Sequence, residues 1–192
     1  MADMTRKGYG QVEPNHLSAQ YTGQIYAQLP AQTYTAATGT TPASTDNIEV
    51  LENGQFLKYN YAAGRASIDG DGEWMLVFNE VKLYDERRQN YKDFAMKASE
   101  MADKAIYPRL LKTNIGDIFT TNTFRTSGDA TVAGPDAEIT MPELAKGNYV
   151  TIDNDGWLKK ANSKPGSGIC FQVVKVYTLA DKQDAVKLQR IQ

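Results

Sequence analysis

Leu51-Glu52-Asn53-Gly54-Gln55-Phe56-Leu57-Lys58-Tyr59 returns 93 positions later as Leu144-Ala145-Lys146-Gly147-Asn148-Tyr149-Val150-Thr151-Ile152. Both stretches read Leu-x-x-Gly-amide-aromatic-aliphatic, a glycine turn followed by a strand. At the same offset Val81-Lys82-Leu83-Tyr84 meets Val174-Lys175-Val176-Tyr177, 27 positions beyond each glycine. A second strand returning to the first accounts for that spacing. Either an internal repeat or two unrelated hairpins with the same turn chemistry produces the pattern. Further turns are signalled at Asp69-Gly70-Asp71-Gly72, Asp153-Asn154-Asp155-Gly156 and Pro165-Gly166-Ser167-Gly168.

Working outward, Trp74 to Phe78, Ile115 to Thr121 and Cys170 to Tyr177 read as further strands. One helix is predicted over 88–105, where Tyr91, Phe94, Ala95, Ala98, Met101, Ala102 and Ala105 fall at helical spacing and Pro108 follows. The fold class expected is mainly β (α+β): a small β-barrel or sandwich-like body with one amphipathic helix and an extended N-terminal arm. The predicted organisation is an arm and linker over 1–47 and a body over 48–192. The body would hold two related β portions, 48–86 and 113–192, separated by the helix.

The arm is inferred from residues 17–32: Leu-Ser-Ala-Gln, Tyr-Thr-Gly-Gln, Ile-Tyr-Ala-Gln, Leu-Pro-Ala-Gln. No Asp, Glu, Lys or Arg occurs from Pro14 to Thr45. Extended, these sixteen residues span on the order of 50 Å and sort their side chains onto two faces. Leu17, Tyr21, Ile25 and Leu29 are the expected anchors in a partner's pockets. Gln20, Gln24, Tyr26 and Gln28 supply uncharged hydrogen-bonding groups. A short helix starting after Asn15 and stopped by Pro30 also fits the spacing of four, as does a low-complexity tail that never orders. Thr33 to Thr45 reads as linker.

The 192 residues carry a net charge of -2, so neither nucleic acid nor an anionic membrane is written into the balance. Met1 to Lys7 is polar and lacks a secretory signal's apolar core, and no run is long enough to span a bilayer. Cys170 is the only cysteine, which excludes an internal disulfide and a thiolate zinc site; it reads as a small buried hydrophobe. Asp69-Gly70-Asp71-Gly72-Glu73 with Glu80 has the length of a calcium loop, but Trp74 stands where that loop needs glycine. A hairpin turn is the better reading. His16, the sole histidine, sits in the predicted arm with no scaffold for a catalytic device. Neither a phosphate loop nor a dinucleotide fingerprint is present. The expectation is a protein that is not an enzyme and binds no cofactor and no metal.

Arg87, Arg88, Lys92, Lys97, Lys104, Arg109 and Lys112 outnumber the acids of their span, with Tyr91 and Tyr107 interleaved. A solvated face of mixed sign explains them better than a DNA site, and any such contact would be weak and salt-dependent.

The uncharged arm, the Thr/Ala/Gly linker and turns such as Gly147-Asn148-Tyr149-Val150-Thr151-Ile152 together resemble accessory structural proteins of tailed-bacteriophage virions. Within that class they are most similar to capsid decoration or cement proteins. Val77-Phe78-Asn79-Glu80-Val81-Lys82-Leu83-Tyr84 and Tyr107-Pro108-Arg109-Leu110-Leu111-Lys112-Thr113-Asn114-Ile115-Gly116-Asp117 share that style; none is a diagnostic motif. The resemblance implies a viral structural protein made in the host cytoplasm and located in the virion. Its partner would be the major capsid protein or another virion subunit, with homo-oligomerisation open and no membrane. Two other readings remain: a head-fibre-like β module binding a host surface or carbohydrate through Trp74, Trp157 and tyrosines, and a virion-internal DNA-associated protein.

Overall fold

In the computed structural model, which describes residues 4–79, 95–125 and 138–192, the Gly-amide turns at 54 and 147 are built alike. Gly54 N–H donates to Val77 O (2.9 Å), Val77 N–H to Gln55 O (2.8 Å), and Glu52 N–H to the Gln55 side-chain oxygen (2.7 Å). Gly147 N–H donates to Val173 O (2.8 Å), Val173 N–H to Asn148 O (2.9 Å), and Ala145 N–H to the Asn148 side-chain oxygen (3.0 Å). Both glycines take left-handed backbone, φ +91° and +89°. The sequence pattern has a physical content: glycine tolerates the φ, and the amide beside it ties back the residue three positions upstream.

The chain opens with β1 (Met4–Lys7), β2 (Val12–His16), the short helix α1 (Ser18–Thr22), β3 (Ile25–Tyr26) and the hairpin β4 (Gln32–Thr35)–β5 (Ser44–Asn47). Then come β6 (Val50–Glu52), β7 (Phe56–Asn60), β8 (Arg65–Ser67) and β9 (Glu73–Val77). β10 (Ala95–Lys97) leads through a single 3-10 turn (Ala98–Glu100) to β11 (Leu110–Leu111) and β12 (Ile118–Thr121). The remainder holds β13 (Glu138–Met141), β14 (Tyr149–Ile152), β15 (Leu158–Ala161), β16 (Cys170–Thr178) and β17 (Asp184–Arg190). The fold is mainly β, with several antiparallel sheets.

The two large sheets share one strand order. The five-stranded sheet runs β3-β11-β9-β7-β8, and the six-stranded sheet runs β2-β12-β17-β16-β14-β15. Setting β2 aside, the strands correspond one for one. Ile25 and Ile118, Phe56 and Tyr149, and Arg65 and Leu158 each lie 93 positions apart. In each half the chain leaves its first strand and bridges in parallel to the far edge, Ala31 to Ala66 and Phe124 to Leu158, again 93 apart at Ala31 and Phe124. The bridges curl each sheet toward a barrel.

Pleating divides the side chains between two cores. Across the first sheet, Ile25, Leu111, Leu76 and Phe56 face one cluster, where they meet Phe119, Phe171, Val173 and Leu188 of the second half. Their neighbours Tyr26, Leu110, Met75 and Leu57 face the other cluster. In the second sheet the row matching the first reads Ile118, Gln189, Gln172, Tyr149, all half-buried. An apolar row packs the halves together, and its amide-rich counterpart meets solvent.

Three expectations are corrected. The arm predicted over 1–47 is not separate in its described residues, 4–47: β1 pairs with β13, β2 with β12 and β3 with β11. The physical reason is burial, since Leu17, Ala19 and Ala31 are fully enclosed in the chain's own cores. The Thr33 to Thr45 linker is in part a hairpin, β4 against β5. The helix over 88–105 is absent from 95 onward, where β10 pairs with β6; residues 88–94 lie outside the described residues, as do Val81 to Tyr84. Ala95, Met96, Ala98 and Ile106 are buried there, and tertiary pairing overrides the helical spacing. The helical turn that does form, α1, ends at Gly23 in left-handed conformation (φ +71°).

One ion pair ties the N-terminal strand to the first turn. Arg6 Nη1 lies 2.9 Å from Glu52 Oε2, both side chains fully enclosed, and Gly10 N–H donates to the same oxygen (2.7 Å). The Arg6 guanidinium sits 5.5 Å from the Trp157 ring centre, with Arg125 at 4.2 Å from the same ring. Removing one partner strands a buried charge. Arg6→Met or Glu52→Leu alone is expected to cost about 3–5 kcal/mol. The double replacement should cost clearly less than the two singles together, as read from urea midpoints. A purely additive double mutant would show that the pair is not coupled.

The two turns also differ. An added Cβ at Gly54 would collide with the Thr123 hydroxyl, whereas one at Gly147 would meet nothing within 4 Å. Gly147→Ala should therefore cost only the left-handed backbone, about 1–2 kcal/mol. Gly54→Ala adds the clash and should cost about 3 kcal/mol or more in the same denaturation experiment.

Candidate partner-binding surface

The uncharged stretch that packs inward at Leu17 and Ala19 turns its remaining side chains outward. Gln20, Tyr21 and Thr22 of α1 are exposed, Tyr21 by 77%. Its ring lies 5.8 Å from that of His16 at the end of β2. The loop before β12 exposes Ile115 by 74%. Large apolar side chains this exposed, one of them within the charge-free stretch from Pro14 to Thr45, are the ingredients of a contact surface.

A buried carboxylate joins the two segments. Asp117, 2% exposed, accepts from Ser18 N–H (3.0 Å), Ser18 Oγ (3.0 Å) and Asn114 N–H (2.9 Å). Asn114 Nδ2 donates in turn to Ser18 Oγ (2.7 Å) and Gln24 Oε1 (3.3 Å). Leu17 offers no side-chain cap to α1, and Asp117 satisfies the helix's first free N–H from a distant loop. β17 anchors the loop from behind: Gly116 N–H donates to Arg190 O (2.8 Å), Arg190 N–H to Asp117 O (2.9 Å), and Arg190 Nη1 to the Thr113 carbonyl and hydroxyl. Burial lowers the Arg190 pKa, while Glu73 and Asp117 oppose that shift. Tyr21 and Ile115 thus stand on a braced base, the condition for a preorganised contact.

The structure divides the eight arm residues. Leu17 is enclosed and fills no partner's pocket; Ile25 packs on the first core, and Tyr26 and Leu29 pack on the second. Gln24 is half-buried in the Asn114 network, and Gln20, Tyr21 and Gln28 are exposed. Ile115 was not among the sequence candidates. Its signal was faint: an isoleucine beside a turn glycine reads equally well as the start of a strand.

The other candidate sites are occupied by structural contacts. Trp157 is 2% exposed between Arg6 and Arg125, and Trp74 is half-buried beneath Lys58 Nζ, 4.9 Å from its ring centre. Asp69 accepts from Tyr34 N–H (3.0 Å), and Asp153 accepts from Asp155 and Trp157 N–H (2.9 and 2.8 Å), as turn carboxylates do. Glu80 lies outside the described residues. Among the described basic residues, Lys97 pairs with Glu100 (3.3 Å) and Lys112 with Glu73 (2.8 Å). Asp103 raises the pKa of exposed Tyr107, and burial raises that of Cys170. Among the described residues no three His, Cys, Asp or Glu gather to hold a metal, and no helix is long and apolar enough to cross a membrane. Comparison with known protein families, curated proteins and solved structures finds no match.

Loss of the Asp117 carboxylate leaves the Ser18 and Asn114 donors without their acceptor. Asp117→Ala is expected to destabilise the protein by roughly 2–4 kcal/mol. It should also speed amide exchange in α1 and the 113–117 loop. Unchanged exchange there would remove the carboxylate from its bracing role.

Proposed function

We propose that this chain is a noncatalytic structural protein of a phage virion that decorates or cements the capsid shell. It grips the shell through the surface that carries Tyr21 and Ile115 rather than through a free arm. The observation that carries this reading is the exposure of those two side chains, 77% and 74%, on segments locked by Asp117. The absence of charge from Pro14 to Thr45 fits a contact made by apolar burial and neutral hydrogen bonds. The resemblance of the chain to decoration proteins supplies the class of partner. The carbohydrate reading draws less support, because Trp157 is enclosed and Trp74 lies under a lysine.

The test is co-sedimentation with capsid shells assembled from the major capsid protein. Tyr21→Ser and Ile115→Ser alter exposed positions, so thermal stability should hold. The double variant should bind shells at least about tenfold more weakly, the scale of losing central contacts. Shell binding equal to that of the wild type would overturn this surface, and no binding by the wild type would overturn the shell reading.

A further inference from the structure

The shared strand order exposes one position where the halves differ. In the second half β12 carries β2 on its free side, with Phe119 opposite Pro14, Thr120 opposite Glu13 and Thr121 opposite Val12. β3 stands in the equivalent place of the first half, and among the described residues no strand lies beside it. β3 meets β11 with Tyr26 opposite Leu110 and Ile25 opposite Leu111, and Lys112 N–H donates to Gln24 O (3.2 Å). The alternation of an antiparallel ladder then turns the N–H and C=O of Ile25 and Ala27 away from β11. Phe119, Thr120 and Thr121 are fully enclosed beneath their extra strand, while Ala27 and Gln28 are exposed.

Free edges in natural sheets are guarded by charge, proline or a covering segment. The other edges of the two large sheets are guarded so. β2 contains Glu13 and Pro14; β8 is met by Ala31; β15 is met by Phe124 and carries Lys159 and Lys160. From Gly23 to Gln28 there is neither charge nor proline.

We propose that β3 pairs with β3 of a second copy of this chain, antiparallel across a twofold axis, joining the two five-stranded sheets edge to edge. Beside the twofold axis of such a pair a charged side chain would approach its own image, so self-pairing favours an uncharged strand there. The 14–45 stretch meets that preference over its whole length. Tyr61, 64% exposed and with its ring 6.4 Å from that of Tyr26, adds apolar surface beside the edge. One short strand with such a flank is a small interface, so the dimer is weak and concentration-dependent. The pairing is separate from shell binding: a monomer that still coats shells would overturn it and leave the shell reading in place.

Sedimentation equilibrium of the full chain, from about 5 to 200 µM to cover a weak interface, reads the outcome directly. The mass should rise from 21.3 kDa toward twice that value. Amide exchange at residues 24–28 should slow over the same concentrations. Ala27→Lys places an ammonium group on each pairing edge from an exposed position, and should weaken association at least tenfold with thermal stability unchanged. A chain that stays monomeric throughout, or a dimer indifferent to Ala27→Lys, overturns the proposal.

Discussion

Glu52 is a carboxylate sealed from water immediately before the turn on which the first sheet is built. It is tolerable there only because Arg6 and the Gly10 amide reach it, and both come from the chain's first strand and the loop after it. That requirement pins β1 in place, and β1 in turn pairs with β13 ahead of the second turn. β2 follows onto β12, and α1 is set down where Asp117 can take up its free N–H. The route of residues 4–22 across both halves thus traces to one pair of charges.

Much of the β architecture was legible because its signals are local. A glycine followed by an amide and an aromatic residue makes the same turn at 54 and 147, and that geometry involves few residues beyond the motif. The same reading stopped short at Ile25-Tyr26 and Ile118-Phe119, also related by 93 positions. β3 is two residues long, too brief to show a period of two. The uncharged tetrads suggested a search for outside shelter, whereas the partners of β2 lie more than a hundred residues along the same chain. Pairing at that distance leaves no periodic mark. From 95 onward the predicted 88–105 helix misled for the opposite reason: alanine and methionine at helical spacing are as easily buried on a short strand.

Of the candidate surface, Tyr21 was legible as a large side chain in an uncharged context, but its direction was not. In an extended arm it shares a face with Leu17 and Ile25; in the fold a helical turn separates it from both and sends it outward. The shared strand order adds a second lesson. Where the first half presents Ile25, Leu111, Leu76 and Phe56 to its neighbour, the second presents Ile118, Gln189, Gln172 and Tyr149 to water. The same strand order carries a fully apolar row in one half and a half-buried, amide-rich row in the other.

The long reach from β1 to β13 and from β2 to β12 has a consequence at the ribosome. These strands are synthesised more than a hundred residues before their hydrogen-bonding partners. At about 5–20 residues per second the wait is on the order of ten seconds. Throughout it these strands, and the uncharged stretch that follows from Pro14, wait without their ladder partners beside many identical nascent chains. Yield in a cell should therefore depend on chaperone capacity and synthesis rate, even where the finished protein is stable.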